Sequence, residues 1–504
     1  MFKFRPKDLS HIHSHELTPE KIKTDLDCFH NGFETLQIIK PATLNDGILK
    51  LSETDIQKYS QAYDQAEIDV TKFVPSSGAA SRMFKDLHHF VNKYDKQQPL
   101  KNNLIASKLE HLLDFFEHIQ DLPFYAALIK KMGLTKSKLT SDEEKFEFIK
   151  AALSYSDLPK ALIPFHNYGQ HLLSAFEEHF FEAAEYASQN GVSKLHFTIS
   201  ELHREKFDQF LVEKTDFISE YTGVKFEVDF SCQSRSTDTV AVKPDLSLYR
   251  DENGKLLFRP AGHGALISNL KSIDSDLIFI KNIDNVHYKP GTEDKDVNVS
   301  YKKALAGLCL DFEAQIKFHI KNLKNQATES QIKAAQGFVQ THFQNSVEEN
   351  VQCLLEFLEK PIRVCGMVKN EGEPGGGPFW VKTKDGEMSL QIVEKSQIDL
   401  QNGNQVQLME GATHFNPVDI VCSIKDVDGN NYKLEDFVDY DQGFIADKSV
   451  DGQPIKALEL PGLWNGGMAD WHTIFIEVPV ETFNPVKTVA DLLKPRHQSY
   501  VEIR

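Results

Sequence analysis

The segment 194–230 reads as strand, helix, strand: KLHFTIS (194–200), ELHREKFDQFLVEKTDFISEY (201–221) and VKFEVDF (224–230). Two strands joined through a helix of that length run parallel, and parallel strands need helices on both faces to cover them. The rhythm predicts an α/β chain with a doubly wound, mostly parallel, Rossmann-like sheet. The stretch 256–286, LLFRPAGHGALISNLKSIDSDLIFIKNIDNV, adds to it. A turn bearing Pro260, Gly262 and Gly264 leads into a short helix and then an apolar run from Leu277 to Ile283. A run so short, rich in isoleucine and bounded by polar turns, reads as a strand buried on both faces. It stops at Asp284. Ligands of open α/β sheets bind beyond the carboxyl ends of strands. Asp284 therefore either holds a hard cation such as Mg²⁺ against phosphate oxygens or caps the next turn.

Two further stretches carry residues suited to phosphate. VTKFVPSSGAASRMF (70–84) passes from a β-branched run through Pro75 and small residues, Ser76 to Ser81, to Arg82 and a helical pattern. Small side chains let backbone N–H groups approach a phosphate, and a helix N-terminus behind them favours its charge. Arg82 can pair with phosphate oxygens in a fork; the bland reading is an ordinary turn between strand and helix. In DLPKALIPFHNYGQHLLSAFEEHF (157–180), Lys160 lies between two prolines in an apolar loop ahead of an amphipathic helix. A lysine there either meets an anion or is exposed. Gln233 and Thr237, after the strand VKFEVDF (224–230), stand where they can read a base or ribose, or satisfy loop backbone.

The remaining chain supplies scaffold. Residues 1 to about 69 are polar and helix-like, with Leu51-Ser52-Glu53 opening one helix. HIHSH (His11, His13, His15) has the look of alternating metal ligands but no acidic partner close by, and reads as a mobile terminal tract. Residues 85–157 and 300–360 are helical; DENGK (251–255) is hairpin-like; from 361 the texture turns to strands. Three consecutive glycines, Gly375 to Gly377, mark a tight bend or a close approach. A net charge of -18 argues against a nucleic-acid or anionic-membrane binder. No apolar run approaches the roughly 18 residues of a membrane helix, and MFKFRPKDLS lacks a signal-peptide core, so a cytoplasmic location is expected. Six scattered cysteines without a CxxC pair suggest neither zinc nor a disulfide framework.

Taken together, these pieces resemble the sugar-nucleotide pyrophosphorylases, and most closely the UDP-N-acetylhexosamine pyrophosphorylase group. PSSGAASRM (75–83) looks like the LxGGxGTRL signature, PKALIP (159–164) like PKPxxP, and IDN (283–285) like the strand-end VDN whose Asp binds magnesium. LQIVEKSQI (390–398) is similar to QVVEYSEI, THFN (413–416) stands where that family has NHFF, and FNPVK (483–487) is similar to FAPVKN. The GHG turn (262–264) resembles a PxGHG segment of UDP-sugar pyrophosphorylases. In the signature loop, Ser77 replaces the second glycine, Ala80 the third and Ser81 the threonine. The whole chain also looks like a bacterial family of unassigned function, common in Bacteroidetes, carrying FRPxGHGALIxNL, FIKNIDNV, GEPGGGPFWV and ELPGLWNG.

The resemblance implies a GT-A-like nucleotidyltransferase sheet with helical insertions. It implies an N-terminal helical segment (1–69), a nucleotide-binding core (70–300) with a helical insertion (85–157), a second insertion (301–360) and a β-rich sugar-binding part (361–504) that completes the core. The implied partners are an NTP, UTP favoured, and a sugar 1-phosphate, with Mg²⁺ as cofactor. The implied roles place the triphosphate on Ser76, Ser77, Gly78, Ala79, Ser81 and Arg82, with Lys160 and Lys487 neutralising the α-phosphate and the sugar phosphate. Gln233 and Gly264 would meet the base, and Gly376, Glu394 and Asn416 the sugar hydroxyls. Asp284 would hold the metal, with Asp470 as second ligand. A metal-dependent glycosyltransferase and a non-catalytic nucleotide-sugar-binding protein are the alternatives.

Overall fold

Val70–Pro75, Val192–Ile199, Leu277–Lys281, Ile362–Lys369, His414–Ser423 and His472–Glu477 form strands (β1 to β6 in that order). Each is rich in β-branched or aromatic residues, which pack well on a pleated surface. Two long helices are central to the description below, Ala175–Tyr186 (α1) and Arg204–Thr222 (α2). The computed structural model describes residues 4–135, 137–169, 171–287, 293–372, 375–450 and 452–498. The chain is a mixed α/β protein with a mostly parallel central sheet, helices and a β-rich C-terminal part. It divides into two compact units, each assembled from separate stretches. One is 1–71, 231–280 and 302–478; the other is 72–230, 281–301 and 479–504.

In the first unit, Gly47–Leu49 pairs parallel with β6, and β6 parallel with β4. β4 then pairs antiparallel with β5, whose other neighbour is β3. A three-stranded sheet of Ile38–Pro41, Gly377–Lys382 and Met388–Val393 belongs to the same unit. The Ile38–Pro41 strand departs from the helix-like reading of the N-terminal region. It has only four residues and an interrupted register, too little for periodicity to register. Ser52 caps the helix Glu53–Asp64 through a reciprocal box with Asp55, as its position before Glu53 suggests. The HIHSH tract is not mobile. It lies in and just after the helix Pro6–Ser14, with Ile12 buried against Leu26, Phe29 and Val240. His15 Nε2 sits 2.8 Å from Asp238 Oδ2. Apolar partners more than 200 residues away supply this order, and local composition does not display them. Glu373 and Pro374 of the glycine-rich stretch lie outside the described residues.

The second unit is built on β1, β2 and the strand Lys225–Cys232, which pairs with β2. Phenylalanines knit its helices to the strands. Phe176 on α1 lies 4.5 Å from Phe197 on β2, and Phe207 on α2 lies 5.6 Å from Phe230. α1 is not amphipathic: Glu177, Glu178, His179 and Glu182 are buried along with its apolar residues. A helix buried on every side must find partners for its charges inside the protein.

Candidate active site

β3 ends on Lys281, and the chain turns through Asn282, Ile283 and Asp284, closed by the Asn285 N–H donating to the Asn282 carbonyl (3.1 Å). The segment 484–487 lies antiparallel to this turn. Val486 N–H donates to the Asp284 carbonyl at 2.9 Å, and Asn484 N–H to Asn285 Oδ1 at 2.9 Å. This pairing delivers Lys487. On the other side, residues 78–80 bridge to 158–160: Ala80 N–H donates to the Leu158 carbonyl and Lys160 N–H to the Gly78 carbonyl, both at 3.1 Å. The second unit thus brings the small-residue loop, Lys160, Asp284 and Lys487 to one place, from four distant stretches of sequence.

Lys160 Nζ lies 2.6 Å and Lys487 Nζ 3.4 Å from the same oxygen, Asp284 Oδ2. Oδ1 is buried and has no hydrogen-bond partner among the described residues. Burial alone raises the Asp284 pKa, but the two ammonium groups overcome it and hold the carboxyl below its ordinary range. Burial draws Lys160 downward against the pull of Asp284. The 2.6 Å separation is that of a charge-assisted hydrogen bond. Asp491 fixes the Lys487 backbone, accepting from Lys487 N–H (2.8 Å) and Thr488 N–H (2.6 Å). The Thr488-x-x-Asp491 spacing is a capping box and was legible in the sequence.

Ser77, Gly78, Ala79, Ser81 and Arg82 are exposed, and Arg82 makes no ion pair among the described residues. Ser76 is buried; its N–H donates to the Thr198 carbonyl and its hydroxyl to Val74. The helix behind the loop does not begin directly at its end. A single 3-10 turn, Ala80–Arg82, comes first, and the α-helix starts at Lys85. A Cβ added at Gly78 meets nothing, so no close packing demands that glycine.

Behind the Asp284 turn lies a charge cluster that motif reading missed. Glu182 accepts from Lys72 Nζ (2.9 Å), Lys281 Nζ (2.8 Å), Tyr186 Oη (3.0 Å) and the His287 N–H (3.0 Å). It therefore ties both ends of the 281–287 segment to α1. Burial pulls Lys72 down to about 8, although Glu182 opposes this. Beside it, Glu178 Oε1 accepts from Tyr168 Oη (2.7 Å) and lies 2.6 Å from His166 Nδ1, and His166 Nε2 meets His497 Nδ1 at 2.9 Å.

The first unit holds the remaining candidates. Gly376, Glu394 and Asn416 are neighbours: Asn416 N–H donates to the Gly376 carbonyl at 2.8 Å, and a Cβ on Gly376 would lie 3.2 Å from Glu394 Cγ. Asn416 Oδ1 accepts from Val418 N–H, and Val418 has φ 58°, a left-handed conformation costly for a β-branched residue. Gly264 is required where it stands, because a Cβ would fall 2.0 Å from the Pro461 carbonyl. Next to it, His263 stacks on Trp464 with centroids 4.2 Å apart. Gln233 Nε2 donates to Thr237 Oγ1 at 3.3 Å. Asp470 is exposed and pairs with Lys360 at 2.6 Å. Among the described residues no three His, Cys, Asp or Glu side chains are grouped for a metal. The buried Asp284 Oδ1, unpartnered among the described residues, is a donor atom of the kind a hard cation takes when water and phosphate complete its shell.

A family model described as a domain of unknown function (DUF4301) matches residues 5–498. The chain belongs to the DUF4301 family. No curated protein matches this DUF4301 chain in sequence. Among solved structures it is similar to two mutant forms of UDP-glucose pyrophosphorylase from Leishmania major, each in complex with UDP-glucose. The first is 11% identical with a TM-score of 0.44, covering 96% of this chain and 77% of that one. The second is 11% identical with a TM-score of 0.43, covering 97% and 79%. No helix among the described residues is long and apolar enough to cross a membrane.

Proposed function

We propose that this DUF4301 protein is a cytoplasmic, magnesium-dependent nucleotidyltransferase that forms an NDP-sugar and pyrophosphate from a sugar 1-phosphate and an NTP, UTP favoured. The observation that carries the reading is the pair of ammonium groups on one oxygen of a buried strand-end carboxylate whose other oxygen has no partner among the described residues. Two lysines against one aspartate leave a surplus positive charge beside an exposed loop that ends in Arg82, which has no ion pair among the described residues. Such a site suits several negative charges held close together.

Transfer of a nucleotidyl group needs alignment and charge neutralisation more than covalent help. Lys160 and Lys487 would neutralise the α-phosphate and the sugar phosphate while the latter attacks in line. Arg82 and the backbone N–H groups of the exposed Ser77, Gly78, Ala79 and Ser81 would cradle the β- and γ-phosphates, those of Ser76 and Ala80 being bonded to Thr198 and Leu158, and pyrophosphate leaves. Mg²⁺ bound at Asp284 Oδ1 would supply charge neutralisation at the phosphate oxygens. On sequence grounds we assign Gln233 and Gly264 to the base and Gly376, Glu394 and Asn416 to sugar hydroxyls, whereas Asp470, paired with Lys360, is not assigned to the metal.

Pyrophosphate release, screened over five NTPs crossed with a panel of sugar 1-phosphates in Mg²⁺, tests the proposal. Release should require one NTP and one sugar phosphate together. Asp284→Ala should lose at least about a hundredfold in turnover while keeping its melting transition, as expected when charge stabilisation is removed from a reaction centre. Arg82→Ala should mainly raise the KM for the NTP. Full activity of Asp284→Ala in Mg²⁺ would refute the assignment. Binding of NDP-sugars without release across the panel would point to a transferase or a binding protein.

A further inference from the structure

We infer that Lys160 and Lys487 form a latch on Asp284, so that this site takes its cation and its phosphate ligand together and discriminates against either one alone. The inference rests on the metal and phosphate roles proposed above and adds the coupling between them.

Both ammonium groups converge on Oδ2, at 2.6 and 3.4 Å, while Oδ1 is left without a donor. The side chains of Asp284 and Lys160 are only 12% and 14% exposed, so water screens their charges poorly. Lys487 is 53% exposed and its charge is better screened. A divalent cation on Oδ1 would sit about 2.1 Å from that oxygen, within a few ångströms of two positive charges. With the latch closed, the lysines repel it. Phosphate oxygens offer the ammonium groups an alternative partner. Once the lysines move to phosphate, the Asp284 carboxylate is left without their countercharge and both its oxygens are open to the cation. Anion and cation therefore favour each other's binding, and by linkage the effect is mutual.

The latch makes an unusual demand on a single variant: Lys160→Met should tighten one ligand and weaken the other. Mn²⁺ alone, titrated by electron paramagnetic resonance, should bind Lys160→Met about tenfold or more tighter than the unaltered protein, because one nearby positive charge is gone. Inorganic pyrophosphate alone, titrated calorimetrically with chelator present, should bind the same variant more weakly. Lys487→Met should move both affinities in the same directions but less for Mn²⁺, about threefold, because its ammonium is longer-range and solvated. A distorted site would weaken both ligands, so the opposite signs separate a latch from structural damage. Lys160→Gln provides a polar replacement should the methionine variant fail to fold, and Lys487→Met alters an exposed side chain. Equal or weaker Mn²⁺ binding in the folded lysine variants overturns the latch. Asp284→Asn distinguishes the two levels. If it loses Mn²⁺ while the lysine variants match the unaltered protein, only the latch fails. If it retains Mn²⁺, the metal assignment fails as well.

Discussion

Burial and the Tyr168 hydroxyl pull on the Glu178 proton in opposite directions. The side chain is buried, and burial prevails over the Tyr168 hydroxyl, which donates to Oε1 and favours the carboxylate, raising the pKa to about 8 from an ordinary value near 4.5. A group whose folded pKa is raised binds more protons folded than unfolded. Its contribution to stability is full below pH 4.5 and is lost as pH climbs through 8. Between those limits the loss is roughly 1.4 kcal/mol per pH unit. Glu178→Gln mimics the protonated form at every pH. It should match the unaltered protein near pH 4.5 and exceed it increasingly toward pH 8, measured by denaturant midpoints. Parallel curves for the two proteins would show that Glu178 is ionised throughout. At this scale the sequence was partly legible. Lys160 and Lys487 stand in proline-flanked loops and Asp284 ends an apolar run, so residue type and position flag each of them. Glu182 carries no such flag, because its lysine partners lie 110 and 99 positions away.

α1 shows why an element can be found and yet misjudged. AFEEHFFEAAEY has helix-forming residues, and Ser174 caps it through a reciprocal box with Glu177, so the helix itself follows from local chemistry. Its glutamates suggest a wet face. In the fold that face meets Lys72 from β1 and Lys281 from β3, and the helix becomes a buried carrier of countercharge. Strand lysines point inward here because Glu182 awaits them, and neither half of the arrangement makes sense alone. Removing the carboxylate should be expensive: Glu182→Gln leaves two buried ammonium groups without a countercharge, a loss of about 3–5 kcal/mol. Urea unfolding of the variant should show the midpoint fall with an unchanged slope. A loss under about 1 kcal/mol would mean that the lysines shed their protons instead. Short elements were the other blind spot. The strand Ile38–Pro41 gains its identity from pairing with Gly377–Lys382, more than 330 residues further on.

At the scale of the molecule, each compact unit is made of three stretches of chain. A reading along the sequence divides the chain where texture changes, whereas packing groups residues by proximity, and the two divisions describe different things. The last stretch, 479–504, makes this concrete. It leaves the first unit after Val478 and joins the second, where Asn484 and Val486 hydrogen-bond the Asp284 turn, Glu481 accepts from His287 Nε2 at 2.6 Å, and Val489 N–H donates to Met83 at 3.1 Å. The motif FNPVK marked Lys487 as a phosphate ligand, but its larger role as the edge that holds the turn required the fold. Truncation after Val478 should therefore act selectively. β4, β5 and β6 lie wholly outside the deleted stretch and should keep their amide protection. The amides of Asn285 and His287 should exchange at least about tenfold faster, because the turn loses its backbone partners and one side-chain anchor while keeping Glu182. Pyrophosphate binding should vanish with Lys487. Hydrogen exchange read peptide by peptide decides the matter: uniform deprotection would make the two units one cooperative body, and an unchanged turn would show that α1 alone holds Asp284 in place.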